Sequence, residues 1–271
     1  MTENPVKIYS IMACNVYWDF EGAPTKKEQH KFLVSFFPGD AVVPDLVEKI
    51  SAYGPDGYTI EFKNQMFKNT NLNGWIYDRF LNFYWYMINL PTGFIKEGQY
   101  TIEVKCKDGS VERMSRMQKN AISDAMVSAY LKNRDRILNS FKPSRVHPMP
   151  ASTPLKDVGL GWLTLKDVAG LDAYYVTRLA EGATTQQIDT QKLVWWDNIY
   201  LERLRKNDPR AGFNRGAVTV TNDLKPGKDY GYFVEITDGN IAQEANICIF
   251  QPFQFFQTPV NSPQAANVAG T

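Results

Sequence analysis

Along most of the chain, short stretches of alternating apolar and polar residues are separated by residues that reverse a backbone. The clearest is 229–237, where Tyr230, Tyr232, Val234 and Ile236 alternate with Gly231, Phe233, Glu235 and Thr237. That period of two predicts a strand with one buried face. Asp238-Gly239-Asn240 supplies residues that tolerate positive φ, as a tight reversal requires, and 245–250 (ANICIF) returns as the next strand. The same grammar holds earlier. Residues 6–20 and 31–37 read as strands, the second ended by Pro38-Gly39, and 46–53 runs into the turn Gly54-Pro55-Asp56-Gly57 ahead of YTIEF. An Asn-rich loop over 63–74 and an aromatic run over 80–90 follow. Pro91-Thr92-Gly93 breaks that run, and Glu97-Gly98-Gln99 opens YTIEVKC, which Asp108-Gly109 turns into SVERMSRM. Many short strands with turn signals between them, and no helical period among them, predict a sandwich.

The period changes once. Over 120–141, Ile122, Met126, Tyr130, Ile137 and Phe141 recur near helical spacing, with Ala125, Ala129 and Leu138 beside them. Asn120 or Ser123 can cap the start, and Lys142-Pro143 ends the helix. The proline-rich PSRVHPMPASTP after it reads as a semi-rigid linker. Residues 261–271 have the composition of a polar tail.

Leu224, Pro226-Gly227 and Tyr230 resemble the turn and tyrosine corner that precede the sixth strand of a fibronectin type III or immunoglobulin-like sandwich. GLGWLTLKDVAGLDAYYVTRL is similar to the second and third strands of a type III domain. Trp162 stands where that family places its core tryptophan, and Tyr174 with Val176 forms the inward pair of the next strand. EGQYTIEVKCKDG resembles the closing hairpin of bacterial immunoglobulin-like domains. These resemblances imply an all-β chain of two antiparallel β-sandwich domains. Residues 6–118 form an immunoglobulin-like sandwich, 119–154 the helix and Pro-rich linker, 155–257 a fibronectin type III-like sandwich and 258–271 a polar tail. The segment 194–213 is longer than the family's middle segment and reads as partly helical, which leaves the local strand order open.

At 271 residues, 44% of them hydrophobic and 22% charged, the chain has the composition of a soluble globular protein able to bury two cores. A net charge of +1 creates no long-range field, so neither nucleic acid nor an anionic membrane is implied. No apolar run approaches a membrane span. Ile11-Met12-Ala13-Cys14 looks like a lipobox, but Lys7 leaves too short an apolar run before it for a signal peptide. The chain is thus read as extracellular or surface-exposed if a signal was removed, and otherwise as intracellular or part of a virion. Cys14, Cys106 and Cys248 read as small buried hydrophobes, with a Cys14–Cys106 bridge as the alternative.

Catalytic patterns are missing from the sequence. Gly159-Leu160-Gly161 lacks the third glycine of a phosphate loop, and there is neither G-x-S-x-G nor H-E-x-x-H. His30 and His147, the two histidines, have polar or proline neighbours and read as solvated. Arg203, Arg205, Lys206, Arg210 and Arg215, offset by Glu202 and Asp208, read as a solvated face. No enzyme, cofactor or metal is expected.

The 13% aromatic content is where a surface is visible. In the aromatic run, Phe83, Trp85 and Met87 make one face and Tyr84, Tyr86 and Ile88 the other. Both are apolar or amphipathic where an antiparallel sandwich normally has a wet face. Something must cover the second: the helix over 120–141 (through Met126, Tyr130 and Ile137, the first choice), the other domain or a partner. Trp75, Tyr77, Tyr84, Tyr86, Trp195 and Trp196 are therefore the candidate partner or ligand surface. The favoured expectation is a non-catalytic structural or protein-interaction module of a bacterial surface or extracellular assembly or of a phage particle. It binds protein partners or assembles with itself. Polysaccharide binding through exposed Trp and Tyr is the alternative, and an accessory module of an enzyme the third reading.

Overall fold

The computed structural model describes residues 6–20, 26–68, 72–79, 82–189, 192–197, 208, 210–239 and 245–260. Over these the chain is mostly β. The strands are β1 (Ile8–Trp18), β2 (Glu28–Phe36), β3 (Val47–Tyr53), β4 (Thr59–Phe62), β5 (Asn73–Asp78), β6 (Phe83–Leu90), β7 (Gly98–Cys106) and β8 (Val111–Gln118). They continue as β9 (Val158–Gly161), β10 (Tyr174–Glu181), β11 (Leu193–Asp197), β12 (Ala217–Val220), β13 (Asp229–Thr237), β14 (Ile247–Phe250) and β15 (Gln254–Gln257). The helices are α1 (Val43–Leu46), α2 (Asn120–Leu138) and α3 (Leu165–Ala169). The chain divides into two compact units. One comprises Met1–Trp18, Pro24–Ala125 and Thr237–Cys248; the other comprises Asp19–Ala23, Met126–Ile236 and Ile249–Thr271.

In the first unit, β1-β2-β6-β5 and β4-β3-β7-β8 are two antiparallel sheets. They bury their inner faces in one core. Phe32, Val34, Phe36, Tyr86 and Ile88 come from the first sheet, and Ile50, Phe62, Tyr100, Ile102 and Val104 from the second. A bulge between Ile8 and Ser10 shifts the alternation of β1, so that Ile8, Ile11 and Ala13 all reach this core. The turn dipeptides behave as their chemistry requires: Asp56 and Gly57 have φ of 54° and 73°, and Gly109 has φ of 85°. Asp108 Oδ1 accepts from Ser110 N at 2.9 Å, an Asx turn that closes the β7–β8 hairpin.

Two expectations for this unit are corrected, and the reading of the cysteines as small buried hydrophobes holds. The cover over Tyr86 and Ile88 is the second sheet, with α2 contributing no residue to that core. His30 is only 4% exposed. Every position of β2 after Glu28 is buried, so polar neighbours in sequence do not mark a wet face there. Its Nδ1–H donates to the Gly93 carbonyl at 2.8 Å, and Nε2 accepts from the Tyr58 hydroxyl at 2.9 Å. The Cys14–Cys106 bridge is not formed, and all three thiols are free and buried. Cys106 lies in the sandwich core with Ala13, whereas Cys14 takes the opposite face of β1 and has its sulfur 3.7 Å from that of Cys248.

In the second unit, β10 lies between β11 and β13, β15 pairs with β13, and β9 pairs with β12. The Tyr230 hydroxyl accepts from Lys225 N at 2.9 Å, so the corner read from Leu224, Pro226-Gly227 and Tyr230 is present as a hydrogen bond. Trp162 is buried between Phe141 and Tyr175, at ring-centroid distances of 6.0 and 6.3 Å. The inward tyrosine of β10 is therefore Tyr175, and Tyr174 instead packs on Phe213 at 5.3 Å. Alternation could not choose between them because Tyr175, Val176 and Thr177 are all buried. β13 is likewise covered on both faces, and Glu235 on its second face pairs with Arg178 at 2.8 Å. The short helix α3, closed by a Thr164–Asp167 capping box, stands where the sequence showed only strands. From Met126 onward α2 belongs to this unit, where the Tyr130 hydroxyl and Arg134 Nε both donate to Asp19 Oδ2, at 2.7 and 2.6 Å. Phe141, Pro143 and Ser144 are buried at the start of the Pro-rich segment, and the Pro143 carbonyl accepts from the Tyr232 hydroxyl at 3.0 Å.

Candidate ligand-binding face

The antiparallel register of β5 on β6 sets Tyr77 opposite Tyr84 and Trp75 opposite Tyr86. Directly opposed residues, and residues two apart on one strand, share a face. All four aromatic side chains therefore project from the same side of the sheet, the side that carries Val34 and Phe36 into the core. Burial falls away toward the sheet's corner. Tyr86 is 0% exposed, Trp75 and Tyr84 are half-buried, and Tyr77 is 43% exposed.

Tyr86 is thus a core residue and not part of a surface. Its hydroxyl donates to Asn64 Oδ1 at 2.8 Å, and burial pushes its ionisation well above the ordinary tyrosine value. The other three rings meet. Tyr77 and Tyr84 have centroids 4.7 Å apart with planes tilted by 37°, and Trp75 and Tyr84 are 6.0 Å apart at 68°. The Tyr77 hydroxyl donates to Asn82 Oδ1 at 2.9 Å, and Asn82 Nδ2 donates to Asp40 Oδ1 at 3.3 Å. Burial first, then Tyr77, then the Asp45 charge raise the Tyr84 hydroxyl above its usual value.

Trp75 is held by its backbone on both sides. Its N–H donates to Gln65 O at 2.7 Å and its carbonyl accepts from Phe67 N at 2.8 Å. Gly74 permits that approach, because a Cβ there would lie 2.2 Å from Gln65 O. Tyr86 also lines a groove of about 510 Å³, to whose lining Trp75, Tyr77 and Tyr84 do not contribute. Its polar lining is Glu48, Lys49, Glu61, Lys63, Asn64 and Gln65. Lys49 pairs with Glu61 at 2.9 Å, and Glu48 with Lys105 at 2.7 Å. In sequence these residues belong to the strands read at 46–53 and YTIEF and to the Asn-rich loop at 63–74; a groove between a strand and a distant loop has no local signature.

The remaining candidates belong to the second unit. Trp195 is set opposite Leu179 and Trp196 opposite Arg178, so the two indoles take opposite faces of β11 and form no common surface. Trp195 Nε1 donates to Thr221 Oγ1 at 3.1 Å, and the Arg178 guanidinium lies 5.3 Å from the Trp196 ring. Of the basic cluster, Arg203, Arg205 and Lys206 lie outside the described residues. Arg215 bonds both oxygens of Asp197, at 2.9 and 2.7 Å, and Arg210 lies over Phe213 at 4.2 Å. His147 Nε2–H donates to Asn139 O at 2.8 Å. Among the described residues no three His, Cys, Asp or Glu side chains gather as a metal-ligand set, and no helix is long and apolar enough to cross a membrane.

No protein-family model matches the chain, and no curated protein matches it. Among solved structures it is similar to the fibronectin(III)-like modules of Clostridium thermocellum CbhA, at 8% identity and a TM-score of 0.22, over 97% of this chain and 98% of that one. It is also similar to the pilus 2b backbone protein of group B streptococcus, at 6% identity and a TM-score of 0.14, over 92% and 98% of the two chains. TM-scores that low transfer neither a ligand nor a partner.

Proposed function

We propose that the chain is a non-catalytic interaction module of a bacterial surface or extracellular assembly or of a phage particle. Its contact surface is the cluster of Trp75, Tyr77 and Tyr84. The single observation behind this is the placement of those rings. They occupy the face that elsewhere forms the sandwich core, yet Tyr77 stays 43% exposed and hydrogen-bonded into position. Aromatic residues on rigid strands give large contact area at low entropic cost. The carboxylates lining the groove, Glu48 and Glu61, are exposed and paired with lysines, which suits a lining better than an acid or base. In this reading the chain consists of an immunoglobulin-like and a fibronectin type III-like sandwich. The Tyr230 corner and the buried Trp162 support the second assignment.

The test is Tyr77→Ala combined with Tyr84→Ala in the full chain. The variant is expected to keep its circular-dichroism spectrum and to lose an association of the parent, scored as oligomeric state by light scattering and as retention by polysaccharide in native gels. A folded variant that keeps every parental association would overturn the reading.

A further inference from the structure

We infer that β15 docks an extended segment of a partner protein, added as a further strand along its outer edge, with a lysine or arginine of that segment set against Asp229. Every residue involved belongs to the second unit, so the inference stands apart from the surface of Trp75, Tyr77 and Tyr84.

The backbone carries the first part of the argument. Gly182 N donates to Asp229 O, and Thr258 N donates to Lys228 O, both at 2.9 Å. Successive residues of a strand turn their N–H and C=O to opposite sides. The even-numbered residues of β13 therefore bond β15, with Tyr230 opposite Phe256 and Tyr232 opposite Gln254. Phe255 and Gln257 then point their N–H and C=O away from β13. Among the described residues neither makes a hydrogen bond on that outer side. Donor and acceptor pairs repeating about every 7 Å along a strand are met in full by one other extended backbone.

There is room for that backbone. The run 255–260 forms one wall of a groove of about 550 Å³, and Pro148 and Met149 stand on another. Gln257 is exposed. Pro148 has no N–H to offer the edge, so the Pro-rich segment borders the strand without completing its ladder. Pro252 and Pro259 flank β15 and confine any pairing to the few residues between them. Such an edge admits a short, defined segment and resists open-ended sheet growth.

Charge selects the segment. Arg145 and Asp229 are the charged residues of the groove lining. Arg145 is committed: its guanidinium lies 5.2 Å from the Phe255 ring and donates to the Ala183 carbonyl. Asp229 has no ion pair among the described residues, and the neighbouring Lys225 and Lys228 reach Glu181 instead, at 3.9 and 3.5 Å. The open charge of the groove is therefore negative. Asp229 is set opposite Gln257, so the two share a face of the sheet. A residue of the added strand opposite Gln257 would share it too, two strand spacings or about 9–10 Å from Asp229. The long side chain of a lysine or arginine spans that gap toward the carboxylate.

The experiment pans a displayed library of short random peptides on the full chain and titrates synthetic copies of the enriched ones. Enriched peptides should carry lysine or arginine within an extended, proline-free stretch. Each is also made with every second backbone nitrogen methylated, in both registers; one register should weaken binding about tenfold or more, and the other should leave it intact. Gln257→Pro removes an outward N–H but no hydrogen bond to β13, and should weaken binding as much while keeping the parental melting temperature. If that variant does not fold, Asp229→Lys decides, since it should shift the preference from basic to acidic peptides. Tyr77→Ala with Tyr84→Ala should leave peptide binding unchanged. No enrichment, or equal binding of both methylated registers, would overturn the inference. If no peptide binds and Gln257→Pro instead abolishes self-association, the occupant is a second copy and the assignment falls. It falls equally if peptides bind only after residues 261–271 are removed, because the edge is then filled by the chain's own tail.

Discussion

The sulfur atoms of Cys14 and Cys248 lie 3.7 Å apart, in residues separated by 234 positions in the chain, and both are reduced and fully buried. Cys106 is equally enclosed, on the other side of β1 among the aliphatic side chains of the sandwich core. Burial in apolar surroundings disfavours the thiolate, which is the reactive form. It holds the Cys106 thiol above its ordinary value. In the native protein none of the three thiols should react with a thiol-specific dye within minutes, and all three should react once guanidinium unfolds the chain. Fast labelling of any of them under native conditions would place that residue outside the core.

Trp162 and Tyr230 should be costly for different reasons. Trp162 is packed between Phe141 and Tyr175, so Trp162→Ala removes contact on two sides and should cost about 3–5 kcal/mol in urea unfolding. Tyr230→Phe deletes only the hydroxyl that accepts from Lys225 N and should cost about 1 kcal/mol. Equal losses for the two variants would mean that the corner hydrogen bond is not the function of that hydroxyl.

His30 should make stability depend on pH. Burial holds its imidazole below the ordinary value of 6.5, with the Gly93 hydrogen bond opposing. The unfolded chain therefore takes up the proton first as pH falls. Stability attributable to this group is complete above about pH 6.5 and is lost progressively as pH drops from there toward the lowered folded-state value. Protonation would also set a second N–H against the Tyr58 hydroxyl, which would have to turn from donor to acceptor. Urea midpoints across this range should fall less steeply with acid in His30→Gln than in the parent. Identical slopes would contradict the assignment.

Glu235, with its side chain 1% exposed, faces the Arg178 guanidinium, which also lies 5.3 Å from the rings of Trp196 and Phe233. Arg178→Ala removes a paired guanidinium from a buried carboxylate and should destabilise by about 3–5 kcal/mol. Replacing both charges, Arg178→Met with Glu235→Leu, should cost clearly less than the single change, because no desolvated charge is left behind. A double variant worse than the single would show that the pair itself stabilises the fold.

Local chemistry was readable in the sequence, and distance was not. The Asp56-Gly57 and Asp108-Gly109 turns, the helix starting at Asn120 and the Tyr230 corner depend on residues within a few positions of each other, and each is found. Strands covered on both faces carry no usable alternation: the period of two gives β13 one buried face where it has two, and the type III resemblance points Tyr174 inward where Tyr175 packs on Trp162. The candidate face was half legible. Trp75, Tyr77 and Tyr84 stood out by residue type. That Tyr86 is roofed by the second sheet, that Asn82 orients Tyr77, and that the groove draws on both β3 and the loop at Asn64 depend on register between separate strands.

Gly74 has a consequence beyond the placement of Trp75. β5 ends its sheet, and the outward-facing N–H and carbonyl of Trp75 are occupied only because the segment at Gln65 and Phe67 lies against them. Any side chain at position 74 would collide with Gln65 O and lift that segment away. The bared strand would then offer unpaired hydrogen-bonding groups to the same strand of another molecule. Gly74 thus lets that edge stay covered, and the turbidity of Gly74→Val should grow with concentration more steeply than the parent's.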